Sequence, residues 1–129
     1  MGERPLRAVL EDAATAYQDE DFELAERLAR RACRMEPGSL DAWDFHSIAS
    51  QALDRGAEAE RSCKKALALA RASYDRYPDD DKLAMRQIFI LMRLGWDEEI
   101  EELFKQLLLR HPGHARLERL MATWRLRQR

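Results

Sequence analysis

Little in this sequence could build a sheet, a membrane span or a metal cage. Only two cysteines occur in 129 residues, Cys33 and Cys63. Two thiols without close spacing make neither a disulfide framework nor a zinc site. Both are expected as reduced, buried packing residues. No apolar run approaches the ~18 residues that a bilayer crossing needs. The opening Met-Gly-Glu-Arg-Pro leads into no apolar signal core. Read as a complete chain, it is expected to be cytoplasmic and free of the membrane. An excess of one charge is also missing, since the formal net charge is -2. The distribution is uneven: residues 1–43 hold 6 basic and 10 acidic side chains, residues 44–80 hold 6 and 7, and residues 81–129 hold 10 and 7. That mild dipole could orient a charged partner without defining one. With 46% hydrophobic and 36% charged residues, the composition is that of a folded helical chain rather than a disordered one.

Glycine and proline are few, and their placement organises the chain. Gly38, Gly56, Gly95 and Gly113 fall between segments of helical periodicity, as do Pro37, Pro78 and Pro112. Glycine closes helix ends and proline cannot continue them. The segments between run over about 6–18, 22–35, 39–54, 57–76, 80–94, 97–111 and 114–127. Sustained apolar-polar alternation is absent, and Ala, Leu, Arg and Glu dominate, all good helix formers. The expectation is an all-α fold of seven antiparallel helices joined by tight turns.

The helices then pair. Asp21-Phe22-Glu23-Leu24-Ala25-Glu26, Arg55-Gly56-Ala57-Glu58-Ala59-Glu60 and Trp96-Asp97-Glu98-Glu99-Ile100-Glu101 each open the second helix of a pair. Ala25 and Ala32, Ala59 and Ala66, and Ile100 and Leu107 stand two helical turns apart in the three units. Small residues at that spacing let helices approach closely, and a shared spacing at this scale marks a stacked repeat. On these residues the chain resembles the tetratricopeptide repeat family. Ala13, Phe22, Ala25, Ala32 and Pro37 match in a first repeat, 6–39. Trp43, Ser47, Ala59, Ala66 and Leu67 match in a second, 40–80, and Leu94-Gly95, Leu108 and Pro112 in a third, 81–114. Residues 115–129 would form the capping helix that such stacks need. The second repeat lacks a closing proline at Arg71 and is about seven residues longer, and Ile88 and Ile100 replace small residues in the third. The resemblance implies one domain, a right-handed superhelical α-solenoid of helical hairpins that recognises another protein.

Such stacks resemble a trough whose inner wall is the first helix of every repeat. Carried over residue by residue, the groove comprises Leu10, Tyr17, Phe45, Ile48, Lys82, Met85, Arg86, Phe89, Met92 and Arg93. This wall is apolar, with cations at one end. It would suit a peptide or helical segment with apolar anchors and an acidic flank, in the manner of an adaptor or chaperone-like module. Within the family, receptors for acidic chaperone tails carry a five-residue carboxylate clamp. Lys82 and Arg86 match its last pair, whereas Leu10, Ala14 and Phe45 occupy its other positions, so that specificity is not expected. The alternative is a filled trough: Leu117, Leu120, Met121 and Trp124 give the last helix an apolar stripe that could cover it, in the same chain or in a homodimer.

Catalysis has little to stand on. His111 and His114 straddle a turn and could ligate a metal, but no third ligand cluster accompanies them, so a solvated pair is the expectation. Asp79-Asp80-Asp81 reads as a helix start, with Asp80 placed to cap. No phosphate-binding glycine loop and no nucleophile motif occurs. No enzyme activity, cofactor or metal is expected. Arg116, Arg119, Arg125, Arg127 and Arg129 beside Trp124 form a basic strip with one stacking ring. Nucleic-acid binders are more cationic overall, so protein remains the expected partner.

Overall fold

Seven helices and no strand make up the described residues, 4–128, of the computed structural model. They are α1 (Leu6–Gln18), α2 (Phe22–Met35), α3 (Leu40–Ala52), α4 (Gly56–Arg76), α5 (Asp81–Leu94), α6 (Asp97–Arg110) and α7 (Ala115–Arg127). The all-helical expectation holds, as does the segmentation. No helix among the described residues is long and apolar enough to cross a membrane. The chain divides within α4 into two compact units, Met1–Leu69 and Ala70–Arg129.

The turns repeat more faithfully than the residues in them. α1, α3 and α5 all end in the same way. An amide just past the helix end reaches five residues back: Asp21 N–H to the Ala16 carbonyl at 2.8 Å, Arg55 to Ser50 at 3.0 Å, and Trp96 to Leu91 at 3.3 Å. Each closure needs one residue with left-handed backbone, the usual glycine position of this C-terminal motif. Gly95 supplies it with φ 71°, but Glu20 (φ 63°) and Asp54 (φ 58°) do so in the other two. Glu20 and Asp54 are 34 residues apart, and Asp54 and Gly95 are 41 apart. The return turns match as well. Ser39 Oγ accepts the Ala42 amide, an Asp80 carboxylate oxygen accepts those of Lys82 and Leu83, and His114 Nδ1 accepts that of Leu117. A hairpin recurring with one geometry, once with seven added residues, is the signature of a helical repeat.

Gly56, expected between helices, is instead the first residue of α4. The turn before it is made by Asp54, because asparagine and aspartate tolerate left-handed backbone better than other non-glycine residues. Glutamate does so less well. Glu20→Gly should therefore stabilise the protein by about 0.5–1 kcal/mol, relief of backbone strain exceeding the added freedom of the unfolded chain. Gly95→Ala should destabilise it by about 1 kcal/mol, although nothing within 4 Å would meet the new methyl. Urea unfolding of both variants checks the pair.

The two units are packed with different residues. In Met1–Leu69, α1 lies on α2 and α2 on α3. Their interfaces are built from fully buried alanines: Ala13, Ala25, Ala29, Ala32, Ala42 and Ala49. Without side chains beyond Cβ, these helices can approach at the short end of the usual range. In Ala70–Arg129, α5 lies on α6 and α6 on α7. Ile88, Ile90, Leu91, Ile100, Phe104 and Leu107 fill that core. Ile88 and Ile100 are fully buried, and α5 and α6 run close over less of their length than α1 and α2. Larger side chains hold backbones apart. Cys33 and Cys63 are both buried and carry free thiols. Burial pushes the Cys33 thiol up to about 12 and raises that of Cys63, which keeps both protonated and unreactive.

Candidate functional site

In the first unit, the wall residues named from the sequence are half-buried. Leu10, on α1, packs against the cluster of Val9, Ala32, Cys33 and Ala42. Tyr17 and Phe45 pack against Ala16, Ala25 and Ala49. The Tyr17 ring meets Phe22 edge-on at 5.1 Å and Phe45 at 5.9 Å. Such aromatic pairs contribute about 0.5–1.5 kcal/mol beyond their burial. Ile48 on α3 is half-buried too. These side chains give much of their surface to the unit's own packing.

The same unit holds a polar cluster that spacing did not reveal. Glu26 sits on the alanine stripe of α2 and is 1% exposed. Its carboxylate meets Arg55 at 3.2 Å, Arg30 at 3.5 Å and His46 Nε2 at 2.8 Å. An ionised carboxylate only accepts, so the His46 proton lies on Nε2. Nδ1 is then free to accept from Ser62 Oγ, 2.6 Å away. Ser62, His46 and Glu26 thus stand in the order of a hydrolytic triad. Ser62 is buried, however, and the nearby recess of about 390 Å³ is lined by His46, Cys33, Trp43, Pro37 and two arginines but not by Ser62. The one signal in the sequence was a glutamate in line with Ala25, Ala29 and Ala32.

In the second unit the wall stands open along α5. Lys82 and Arg93 are exposed, Arg86 and Met92 half-buried, and Phe89 keeps 43% of its surface in water. Partial desolvation lowers the Arg93 pKa from the ordinary arginine value, leaving it a cation. Met85 departs from the set: it is buried, at the edge of a recess of about 360 Å³. Arg116, Arg119, Leu120 and Thr123 of α7 line the rest of that recess. The apolar stripe of α7 is divided. Leu117 and Trp124 are buried, with the Trp124 ring 5.9 Å from Phe104 of α6, while Leu120 and Met121 are half-buried. Arg125 holds Glu101 of α6 through Nε at 3.1 Å. That ion pair depresses the Glu101 pKa and raises that of Arg125.

Trp124, the one ring of the basic strip, is buried with the apolar stripe and faces Phe104 of α6, and Arg125 is paired with Glu101; Arg129 lies outside the described residues. One expectation is corrected here: His111 and His114 are not a solvated pair. His111 Nε2 is bonded to the Tyr74 hydroxyl at 2.9 Å. His114 caps α7 and meets Asp81 at 3.0 Å, which lowers the Asp81 pKa. Among the described residues no group of three or more His, Cys, Asp or Glu is placed to hold a metal ion.

No family model and no curated protein matches the chain. Solved structures do match. A chain from a structure titled "CopN-Scc3 complex" superposes with a TM-score of 0.58 at 15% identity. The match covers 89% of the present chain and 64% of the other. At that identity the likeness is one of fold.

Proposed function

We propose that this chain is a tetratricopeptide-type protein-binding module, cytoplasmic and without catalytic activity of its own. Its α5–α7 face takes an acidic segment of another protein that carries apolar anchors. The observation that carries this reading is the open face of α5: Phe89, one helical turn along from the Met85 that lines the recess, is 43% exposed. Aromatic side chains are enriched among binding hot spots. Lys82, Arg86 and Arg93 come to that face from α5, and Arg116 and Arg119 from α7. Five cations around an apolar centre favour a carboxylate-bearing partner. The recurrent hairpin turns support the repeat assignment. The Glu26–His46–Ser62 cluster is read as a structural hub, since its serine is enclosed.

The reading is tested by fluorescence anisotropy with two labelled helical peptides. Both carry leucines four residues apart, one flanked by Glu and the other by Lys. The Glu-flanked peptide should bind with a Kd in the micromolar range and weaken as salt rises. Phe89→Ser and the pair Arg116→Glu/Arg119→Glu should each weaken it at least ~10-fold, a loss of about 1.4 kcal/mol. Equal binding of the Lys-flanked peptide would overturn the proposal. A concentration-independent dimer in light scattering, dissociated by Phe89→Ser, would point to self-association instead.

A further inference from the structure

The seven residues added to the second repeat lengthen α4, and Arg71, Tyr74 and Asp75 lie on that extension. Together with α6 they enclose a recess of about 610 Å³ in the second unit. This is a common size for a ligand site. Gln87 of α5 lines it, two residues from Met85 and so on nearly the opposite side of the helix. The Gln87 side chain is 4% exposed, and its Nε2 has no hydrogen-bond partner. Leaving a buried amide donor unsatisfied costs about 1–3 kcal/mol, so such a group calls for an occupant that supplies an acceptor.

The other walls say what that occupant is. Both cations of the recess are engaged: Arg71 Nη2 bonds Glu99 at 2.9 Å, and the Arg110 guanidinium lies 5.4 Å above the Tyr74 ring. Tyr74 in turn is tied to His111. Asp75 makes no ion pair among the described residues, and Glu102 receives only a long 3.4 Å contact from Gln106. The Tyr74 ring is neutral and leaves Arg110 charged, so the three carboxylates Asp75, Glu99 and Glu102 outnumber the two cations by one and the lining is net negative. Leu103 and Leu107 supply apolar lining, and Leu109, 83% exposed, stands at the site with most of its surface in water.

We infer that this recess is a second protein-binding site, one that takes an arginine- or lysine-bearing segment of a partner. A main-chain carbonyl of the segment accepts from Gln87 Nε2. The cationic side chain answers Asp75 and Glu102, and its aliphatic stem covers the leucines. The site does not rest on the α5–α7 reading, because it uses other residues and the opposite partner charge. It also explains why the longest helix is longer than the repeat requires.

The test is an NMR titration of the full chain, following the Gln87 side-chain amide. The probes are N-acetyl-leucyl-arginine methylamide and its Leu-Leu and Leu-Glu counterparts. The arginine probe should shift the Gln87 amide saturably, with the Leu-Leu and Leu-Glu probes at least ~5-fold weaker. Gln87→Leu should weaken the arginine probe about 5-fold, the equivalent of one hydrogen bond near 1 kcal/mol. Its stability should be unchanged or higher, since the orphan donor is gone. Asp75→Asn/Glu102→Gln, at exposed positions, should weaken the probe as much and leave the fold intact. Phe89→Ser should leave this titration unaffected. An unmoved Gln87 amide, equal response to all three probes, or undiminished binding by both variants would overturn the inference and leave the donor satisfied by water alone.

Discussion

Replacing Glu26 with alanine should destabilise the protein by about 3 kcal/mol, a larger loss than any surface substitution would cause. The carboxylate is buried and holds three partners, so its removal strands several groups at once. His46 Nε2–H loses its acceptor inside the core, and Arg55 and Arg30 lose the charge they converge on. Most of the cost falls on the buried imidazole, whose Nε2–H is left without an acceptor, and on the cavity where the side chain had been. Arg55 and Arg30 keep 38% and 52% of their side-chain surface in water and can be resolvated. In urea the midpoint should fall by about 1–2 M with the slope unchanged. Glu26→Gln keeps the shape and one acceptor, and should recover about half of the loss. If alanine proves as stable as the parent, the cluster is ornamental and the carboxylate had kept its water.

Phe45→Ser and Phe89→Ser should part company. The two phenylalanines were named together from the sequence, as equivalent residues of one wall. Phe45 lies against the Ala16, Ala25 and Ala49 cluster and touches the Tyr17 ring. A polar truncation there should cost about 3 kcal/mol and lower the melting temperature, whatever it does to binding. Phe89 stands half in water, and its serine variant should cost under about 1 kcal/mol. It should instead weaken capture of the acidic peptide at least ~10-fold. Thermal unfolding and anisotropy, run on both variants, separate the roles. Equal destabilisation by the two would mean that Phe89 belongs to the core.

These two phenylalanines also mark where sequence reasoning runs out. Period and punctuation were enough for the helices, because each amphipathic stripe and each Pro or Gly is a local signal. They place Phe45 and Phe89 correctly on the first helices of their hairpins. They do not say which neighbour covers a residue, and Met85, on the same face as Phe89, is buried. The turns show a related limit. Glu20 and Asp54 adopt left-handed backbone with no glycine to announce it, because the two flanking helices over-determine the turn. Glu26, His46 and Ser62 are 20 and 16 residues apart along the chain. No spacing rule links them, since three different helices bring them together. Gln87 was invisible for the same reason: its lack of a partner depends on every neighbour at once. The extension of α4 was read from the missing proline at Arg71, but its consequence, a recess, needed the opposing helix.

Both thiols belong to residues 1–69, and the remainder of the chain has none. Cys63 therefore acts as a clock for one half of the molecule. Cys33 lines the recess beside Trp43 and reports access to it, whereas Cys63 is buried on α4 and is labelled when that unit opens, so its rate of labelling measures how often that happens. Loosening confined to residues 70–129, including the withdrawal or binding of a segment at α5, α6 or α7, would leave that clock undisturbed.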